Sequence, residues 1–285
     1  MKKKKILLIT DHKWRDLPGY VYLKHILENT HSLTVRLCNL GDEKFYAWRE
    51  RPDAVVFNNM FGQERVQFAR WLKKQGIQVL VLLTEGIPFK TLDLVAGKFT
   101  DLDAVDLFFC WNRPVADRML ELGKITPDRL RIVGVPRFDF YFPPLNRLLL
   151  GKSEVQKKYG LVIKKDVSIL LLATNFTIAS QENSREFLYR DWKNLGVTQL
   201  FGEENIDRLV ELDVESRRRT LGAVEKLLQD FPQIQILYKP HPSENHLFYA
   251  PFFAGLKDRF PGRTSFRSEE RRVGKECRSW CSPLL

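Results

Sequence analysis

Gln235-Ile-Leu-Tyr-Lys-Pro-His-Pro-Ser-Glu244 is an apolar run that stops abruptly at two prolines. Ile234 to Tyr238 reads as a buried strand. A proline forces the residue before it into extended geometry. Lys239 and His241 each precede a proline, so both are held extended at the strand's C-terminal end. Ser243 and Glu244 follow in the style of a helix cap. A cation and an imidazole are thereby fixed beside a helix start. Ligands of open α/β sheets bind at the carboxyl ends of the strands. A helix N-terminus with added positive charge suits a phosphate. Taken alone, the same residues also make a plain strand-to-helix turn with a solvated Lys and His.

Upstream of this stretch, short apolar runs alternate with helical spacing. Lys5 to Thr10 is a continuous apolar strand ending in Asp11-His12. Tyr20 to Glu28 has helical spacing, and Leu33 to Leu37 is a second strand. Asp53 to Asn58 is a third strand, and Arg65 to Lys74 an amphipathic helix. Gln78 to Leu83 is a fourth strand, ending at Thr84-Glu85-Gly86. Ala104 to Trp111 is a fifth, Pro114 to Leu122 a helix with Pro in its first turn, and Leu130 to Gly134 a sixth strand. This alternation predicts an α/β fold with a doubly wound parallel sheet. Phe142-Pro143-Pro144-Leu145 breaks the rhythm and marks a domain boundary. The expected domains are 1–142 and 143–266. In the second, a short helix spans Ser153 to Tyr159. Ser168 to Ala173 is a buried strand ending in Thr174-Asn175. Residues 177–202 read as polar and irregular, Glu204 to Asp230 as a long helix, and Gln233 to Tyr238 as the strand of the opening stretch. No internal repeat is visible.

The 285 residues carry a formal charge of +11 and a hydrophobic fraction of 44%. That fraction describes packed domains, not a disordered chain. Part of the charge is the Lys2–Lys5 run, which suits an anionic membrane surface or phosphorylated substrates, or simply solubilises the N-terminus. No aromatic-rich RNA-binding signature accompanies it, so nucleic acid is not expected as a partner. The apolar run Ile6 to Ile9 is too short for a signal-peptide core or a membrane span. A cytoplasmic location is expected, with peripheral contact at the inner face of the cell membrane as an added option. Cys38, Cys110, Cys277 and Cys281 show neither zinc-type pairing nor a disulfide framework. Cys38 and Cys110 read as small core residues. There is no G-x-G-x-x-G after the first strand, no Walker A sequence, no G-x-S-x-G elbow and no metal-ligand spacing. No cofactor and no metal are expected.

Several polar residues fall at the carboxyl edge of the first sheet. Glu85 ends the fourth strand and precedes Gly86, which allows close backbone approach. A carboxylate there can take a proton from an acceptor hydroxyl; it can equally be a surface or capping Glu. Asp11 and His12 end the first strand, and Asn58 the third. Gly134-Val-Pro-Arg-Phe-Asp139 closes the sixth strand. Arg137 can grip a phosphate or carboxylate in bidentate fashion, or pair locally with Asp139.

Tyr238-Lys-Pro-His-Pro242 resembles the phosphate-binding motif of bacterial capsule and surface polysaccharide glycosyltransferases. Similar His-Pro motifs occur in CDP-glycerol glycerophosphotransferases and polysialyltransferases. Gly134-Val-Pro-Arg-Phe-Asp139 resembles a segment of surface carbohydrate biosynthesis proteins. Thr84-Glu85-Gly86 resembles the acidic-acidic-Gly motif of the polysialyltransferases, with Thr84 in place of the first acid. The resemblance covers about Lys5 to Phe260. It implies a GT-B fold, two Rossmann-like domains facing each other across a cleft, the second one incomplete here. It implies metal-independent, inverting transfer of a sugar from a nucleotide-activated donor to a glycan or lipid-linked acceptor. Glu85 would then be the base, with His241 assisting. Lys239, His241, Pro242, Ser243, Thr174 and Asn175 would hold the nucleotide phosphates. Asp11, His12, Asn58, Arg137 and Asp139 would line the acceptor side. The alternatives are a CDP-glycerol-type transferase, a nucleotide-sugar 2-epimerase sharing the fold, and a non-catalytic binding subunit.

From Arg267 the chain changes character. Arg267 to Arg278 closely resembles the conceptual translation of a sequencing adapter, so 267–285 is expected to be an unstructured artefact that interrupts the second domain. On that reading the chain is an inactive fragment.

Overall fold

The computed structural model describes residues 3–13, 15–84, 101–151, 153–154, 167–194, 198 and 202–266. The chain divides into two compact units, Met1–Leu150 and Gly151–Leu285.

The first unit is built on a six-stranded sheet. Its strands are β1 (Lys5–Thr10), β2 (Thr34–Asn39), β3 (Ala54–Phe57), β4 (Gln78–Leu82), β5 (Leu107–Cys110) and β6 (Leu130–Ile132). All pairings are parallel, in the order β2-β1-β3-β4-β5-β6. The apolar runs follow from this: strands covered on both faces have no solvent side on which to place polar residues. Leu7, Leu8, Ile9, Val55, Val79 and Val81 are each 1% exposed or less. Helices α1 (Leu17–Thr30), α2 (Glu43–Glu50), α3 (Gln63–Lys74) and α4 (Arg113–Glu121) are the crossovers. The core splits into two clusters, one on each sheet face. One gathers Val66, Phe68, Leu72 and Met119, the other Tyr20, Val35 and Val56. After β6 the chain turns into a 3-10 helix, Pro136–Tyr141, and a second one at Leu145–Leu148.

Sequence reading places these strands but misses α2. That helix buries only Ala47, so its apolar periodicity is too weak to see. The fifth strand is shorter than Ala104 to Trp111, because Ala104–Asp106 form the turn that enters it.

The second unit has β7 (Ser168–Ala173), α5 (Arg185–Asn194), α6 (Glu204–Asp230), β8 (Ile234–Lys239), α7 (His246–Arg259) and β9 (Thr264–Phe266). The strands pair in parallel in the order β7-β8-β9. Its core joins Leu221, Val224 and Leu228 of α6 to Ile236 and Tyr238 of β8, and to Tyr249, Phe253 and Leu256 of α7. Two expectations are corrected. Residues 177–202 are not irregular throughout, since α5 lies there. Beyond the motif strand the chain continues into the covering helix α7 and the strand β9. β7 is not buried: Leu171 is 57% exposed. Two successive right-handed crossovers that step the same way put both helices on one face, and β7 has a single strand neighbour among the described residues. The expected helix from Ser153 lies mostly outside the described residues, as does 267–285. Among the described residues no helix is long and apolar enough to cross a membrane.

Candidate functional site

The strand order of the first unit reverses direction between β1 and β3. Such a switch point opens a crevice, because the loops leaving the two strands run to opposite faces. Asp11 leaves β1 there, and Asn58 leaves β3. Asn58 Nδ2 donates to Asp11 Oδ2 at 3.1 Å. Arg65, in the first turn of α3, donates to Asn58 Oδ1 at 3.1 Å and also to Asn59. Arg15 donates to Asp11 at 3.3 Å and grips Asp16 twice, at 2.7 and 3.0 Å. The Asp16 carboxylate has no exposed surface and also accepts the His12 backbone N–H at 3.2 Å. His12 Nδ1 accepts the Arg15 backbone N–H at 3.2 Å. Asp11, His12 and Asn58 therefore do come together, joined by Arg15, Asp16 and Arg65, which sequence reading missed. A visible sign of Asp16 is Asp-Leu-Pro at a helix start.

The Gly134–Asp139 segment folds over α1. A Cβ on Gly19 would lie 2.8 Å from the Arg137 backbone nitrogen, so only glycine admits this approach. Gly134 has a φ of 77°, a conformation glycine adopts freely. Arg137 reaches within 3.8 Å of Asp16 and lies over the Trp111 ring at 5.1 Å. Its carboxylate neighbour is thus Asp16 rather than Asp139, which is exposed and has no side-chain partner among the described residues. Arg15, Asp16, Tyr20, Thr84 and Arg137 line one small cleft. The Tyr20 and Thr84 hydroxyls are buried there without a partner among the described residues. Burial pushes the Tyr20 phenol well above its ordinary range, and the Asp16 charge adds to this. Glu85 and Gly86 lie outside the described residues.

In the second unit, β7 and β8 end side by side, with Ala173 opposite Lys239. The Thr174 N–H donates to the Lys239 carbonyl at 3.1 Å. Thr174, Asn175, Lys239, His241, Pro242 and Ser243 therefore share one edge. The helix cap differs from expectation. Asn245, not Ser243 or Glu244, caps α7 by accepting the Leu247 N–H. Glu244 instead turns inward and is buried. Its Oε1 accepts the His241 N–H at 2.7 Å and lies 3.1 Å from the Thr174 hydroxyl. Its Oε2 accepts the Tyr249 hydroxyl. The Thr174 hydroxyl also meets the Tyr238 hydroxyl at 3.1 Å. Burial raises both the Tyr238 and the Tyr249 phenols, which keeps both neutral and leaves Tyr249 a donor to the carboxylate.

His241 Nδ1 accepts the Ser243 N–H at 3.1 Å. In the neutral ring the proton then sits on Nε2, the nitrogen that can donate to a phosphate oxygen. The backbone N–H groups of the turn are already used by Glu244 and by His241 itself. A ligand at this turn would therefore meet side chains rather than a backbone nest. Behind the turn, Arg217 of α6 is buried. It donates to the Ala179 carbonyl at 3.2 Å and to Glu182 at 3.0 Å, and stacks on Phe248 at 3.8 Å. Asp213, one turn earlier, accepts the Ala179 N–H at 2.7 Å, and burial raises its carboxyl. Among the described residues no group of three or more His, Cys, Asp or Glu could hold a metal ion.

No protein-family model matches the chain, and no curated protein matches it in sequence. Solved structures do match in shape. One is UDP-GlcNAc 2-epimerase from Methanocaldococcus jannaschii, 13% identical, with a TM-score of 0.54 over 94% of this chain and 73% of the other. The same enzyme in complex with UDP-GlcNAc and UDP matches at 0.52, with 14% identity and the same coverage. A UDP-N-acetylglucosamine 2-epimerase structure from Listeria monocytogenes matches at 0.51, with 10% identity over 94% of this chain and 69% of that one. The fold is therefore of the GT-B type, an α/β architecture of parallel sheets.

Proposed function

We propose that the chain is a glycosyltransferase of bacterial surface polysaccharide synthesis, using a nucleotide-activated sugar donor. The observation that carries this reading is the His-Pro edge of the second unit. There Lys239, His241 and Ser243 surround a turn whose shape is fixed from beneath by a buried carboxylate. Two side chains able to carry positive charge, placed where a leaving phosphate gathers charge, lower the barrier to its departure. The His241 Nε2–H adds a donor to the same oxygen. On the first unit, the Asp11–Asn58 edge, with Arg137 beside Asp16, offers acceptors and donors suited to the hydroxyls of a glycan or lipid-linked acceptor. Glu85 remains the proposed base. The expected domains, 1–142 and 143–266, are kept as the acceptor side and the nucleotide side.

A second reading, a nucleotide-sugar 2-epimerase, is favoured by the shape of the solved structures above. Both chemistries need the same nucleotide phosphate site, and one experiment separates them. The protein is incubated with UDP-, CDP- and GDP-sugars, with and without oligosaccharide acceptors, and the products are resolved by chromatography. Transfer releases free nucleotide in step with a lengthened acceptor. Epimerisation yields the C2 epimer of the nucleotide sugar with no acceptor dependence. A protein that neither binds nor turns over any of these nucleotides overturns both.

A further inference from the structure

The amino-terminal edge of the six-stranded sheet, opposite the edge that carries Asp11 and Asn58, gathers cations. Lys3 and Lys4 are exposed at the entry to β1. Lys5 Nζ donates to the Glu50 carbonyl at 3.3 Å, which brings the C-terminal end of α2 against the start of β1. The backbone N–H of Lys5 donates to Asp53 at 2.7 Å, and Arg36 lies 3.5 Å from Glu50. Lys24 of α1 pairs with Glu28 and reaches the Val35 carbonyl at 2.7 Å. The acids at this rim, Glu28, Glu50 and Asp53, are thus each engaged. Lys3, Lys4, Arg49 and Arg51 pair with no carboxylate among the described residues. Beside them the last turn of α2 exposes Trp48, 66% exposed, while Phe45, 51% exposed, lies one turn earlier, toward the other edge. Arg49 lies over the Phe45 ring at 5.8 Å.

An exposed Trp among unpaired cations has few uses within a folded domain. The indole suits the bilayer headgroup layer, where its apolar body and polar N–H both find partners. Each Lys or Arg near an anionic leaflet strengthens binding about fivefold at physiological salt. We propose that this rim docks on an anionic lipid bilayer, with Trp48 entering the headgroup layer among Lys3, Lys4, Arg49 and Arg51. The strands run parallel, so the Asp11–Asn58 edge then faces away from the bilayer, about 20 Å from the rim for a six-residue strand. An acceptor tethered to that membrane must reach at least this far.

The test is sedimentation of the full chain with vesicles of phosphatidylcholine, with and without phosphatidylglycerol, at low and high salt. The variants are Trp48→Ala and the set Lys3→Ser, Lys4→Ser, Arg49→Gln and Arg51→Asn. Asparagine tolerates the left-handed backbone at Arg51, whose φ is 45°. Thermal unfolding by circular dichroism establishes that the variants fold. Binding confined to phosphatidylglycerol vesicles, weakened by salt and at least tenfold by either variant, is expected. Equal binding to both vesicle types overturns the proposal. So do variants that bind like the unsubstituted chain. A rim that instead binds an RNA oligonucleotide, with no vesicle binding, overturns it as well. None of these outcomes depends on the nucleotide site.

Discussion

Glu244 and His241 are locked by a reciprocal pair of hydrogen bonds. The buried Glu244 carboxylate accepts the His241 N–H at 2.7 Å, and the Glu244 N–H donates to the His241 carbonyl at 2.9 Å. Glu244 touches no ligand on this reading; it positions His241. Glu244→Ala strands the buried Tyr249 hydroxyl and removes the acceptor of the His241 N–H, while Thr174 keeps its contact with Tyr238. Leaving buried donors unmade costs on the order of 3 kcal/mol. The expected result is a lowered unfolding midpoint in urea together with weaker nucleotide binding. Glu244→Gln keeps one acceptor and should recover part of each. A nucleotide affinity unchanged in a folded Glu244→Ala protein would remove the positioning role.

Gly19 and Arg137 test the packing of the Gly134–Asp139 segment. A methyl group on Gly19 would press on the Arg137 and Pro136 backbone at 2.8 to 3.2 Å. Backbone cannot step aside as a flexible side chain can. Overpacking of this kind costs about 1–3 kcal/mol. Gly19→Ala is expected to lower the thermal midpoint, even though alanine is the better helix former. A stabilised Gly19→Ala protein would mean that the segment does not sit on α1.

Glu215 on α6 predicts a pH effect. Arg218 and Arg219 lie 2.6 and 2.7 Å from its carboxylate and pull its pKa from 4.5 down to about 2. Between these two values the folded chain binds fewer protons at this site than the unfolded chain. Its contribution is therefore present above about 4.5 and lost as pH falls toward about 2. The group is exposed, so salt should shrink the effect. Glu215→Gln should flatten the acid limb of stability measured by urea unfolding, by lowering stability slightly at neutral pH and leaving it nearly unchanged near pH 2. An acid limb identical in both proteins would contradict this.

The first unit was largely legible because its strands are buried on both faces and read as unbroken apolar runs, as in Ile6 to Ile9. Asp11, His12 and Asn58 could be placed together because parallel strands end on one edge. Arg65 could not, since its partners Asn58 and Asn59 lie before its helix, nor could the contact of Asp16 with Arg137, which comes from beyond β6. The motif strand Ile234–Lys239 was legible for the same reason as β1. The turn after it was only partly so. Glu244 looks like a cap in sequence, and what directs it inward is Tyr249, five residues on, and Thr174, seventy residues back. β7 misled because an apolar edge strand has the same composition as a buried one. α2 was missed because a helix that buries only Ala47 carries little periodic signal.

The most direct test of the nucleotide site is calorimetric titration of the full chain with UDP, CDP and GDP, repeated with Lys239→Ala and His241→Ala. Each of these side chains gives a charge-assisted or neutral hydrogen bond to phosphate, worth roughly 1–3 kcal/mol, or about fivefold to a hundredfold in affinity. The account predicts that at least one nucleotide binds, and that each substitution weakens it by about tenfold or more while the protein stays folded. Equal affinity in all three proteins would contradict it.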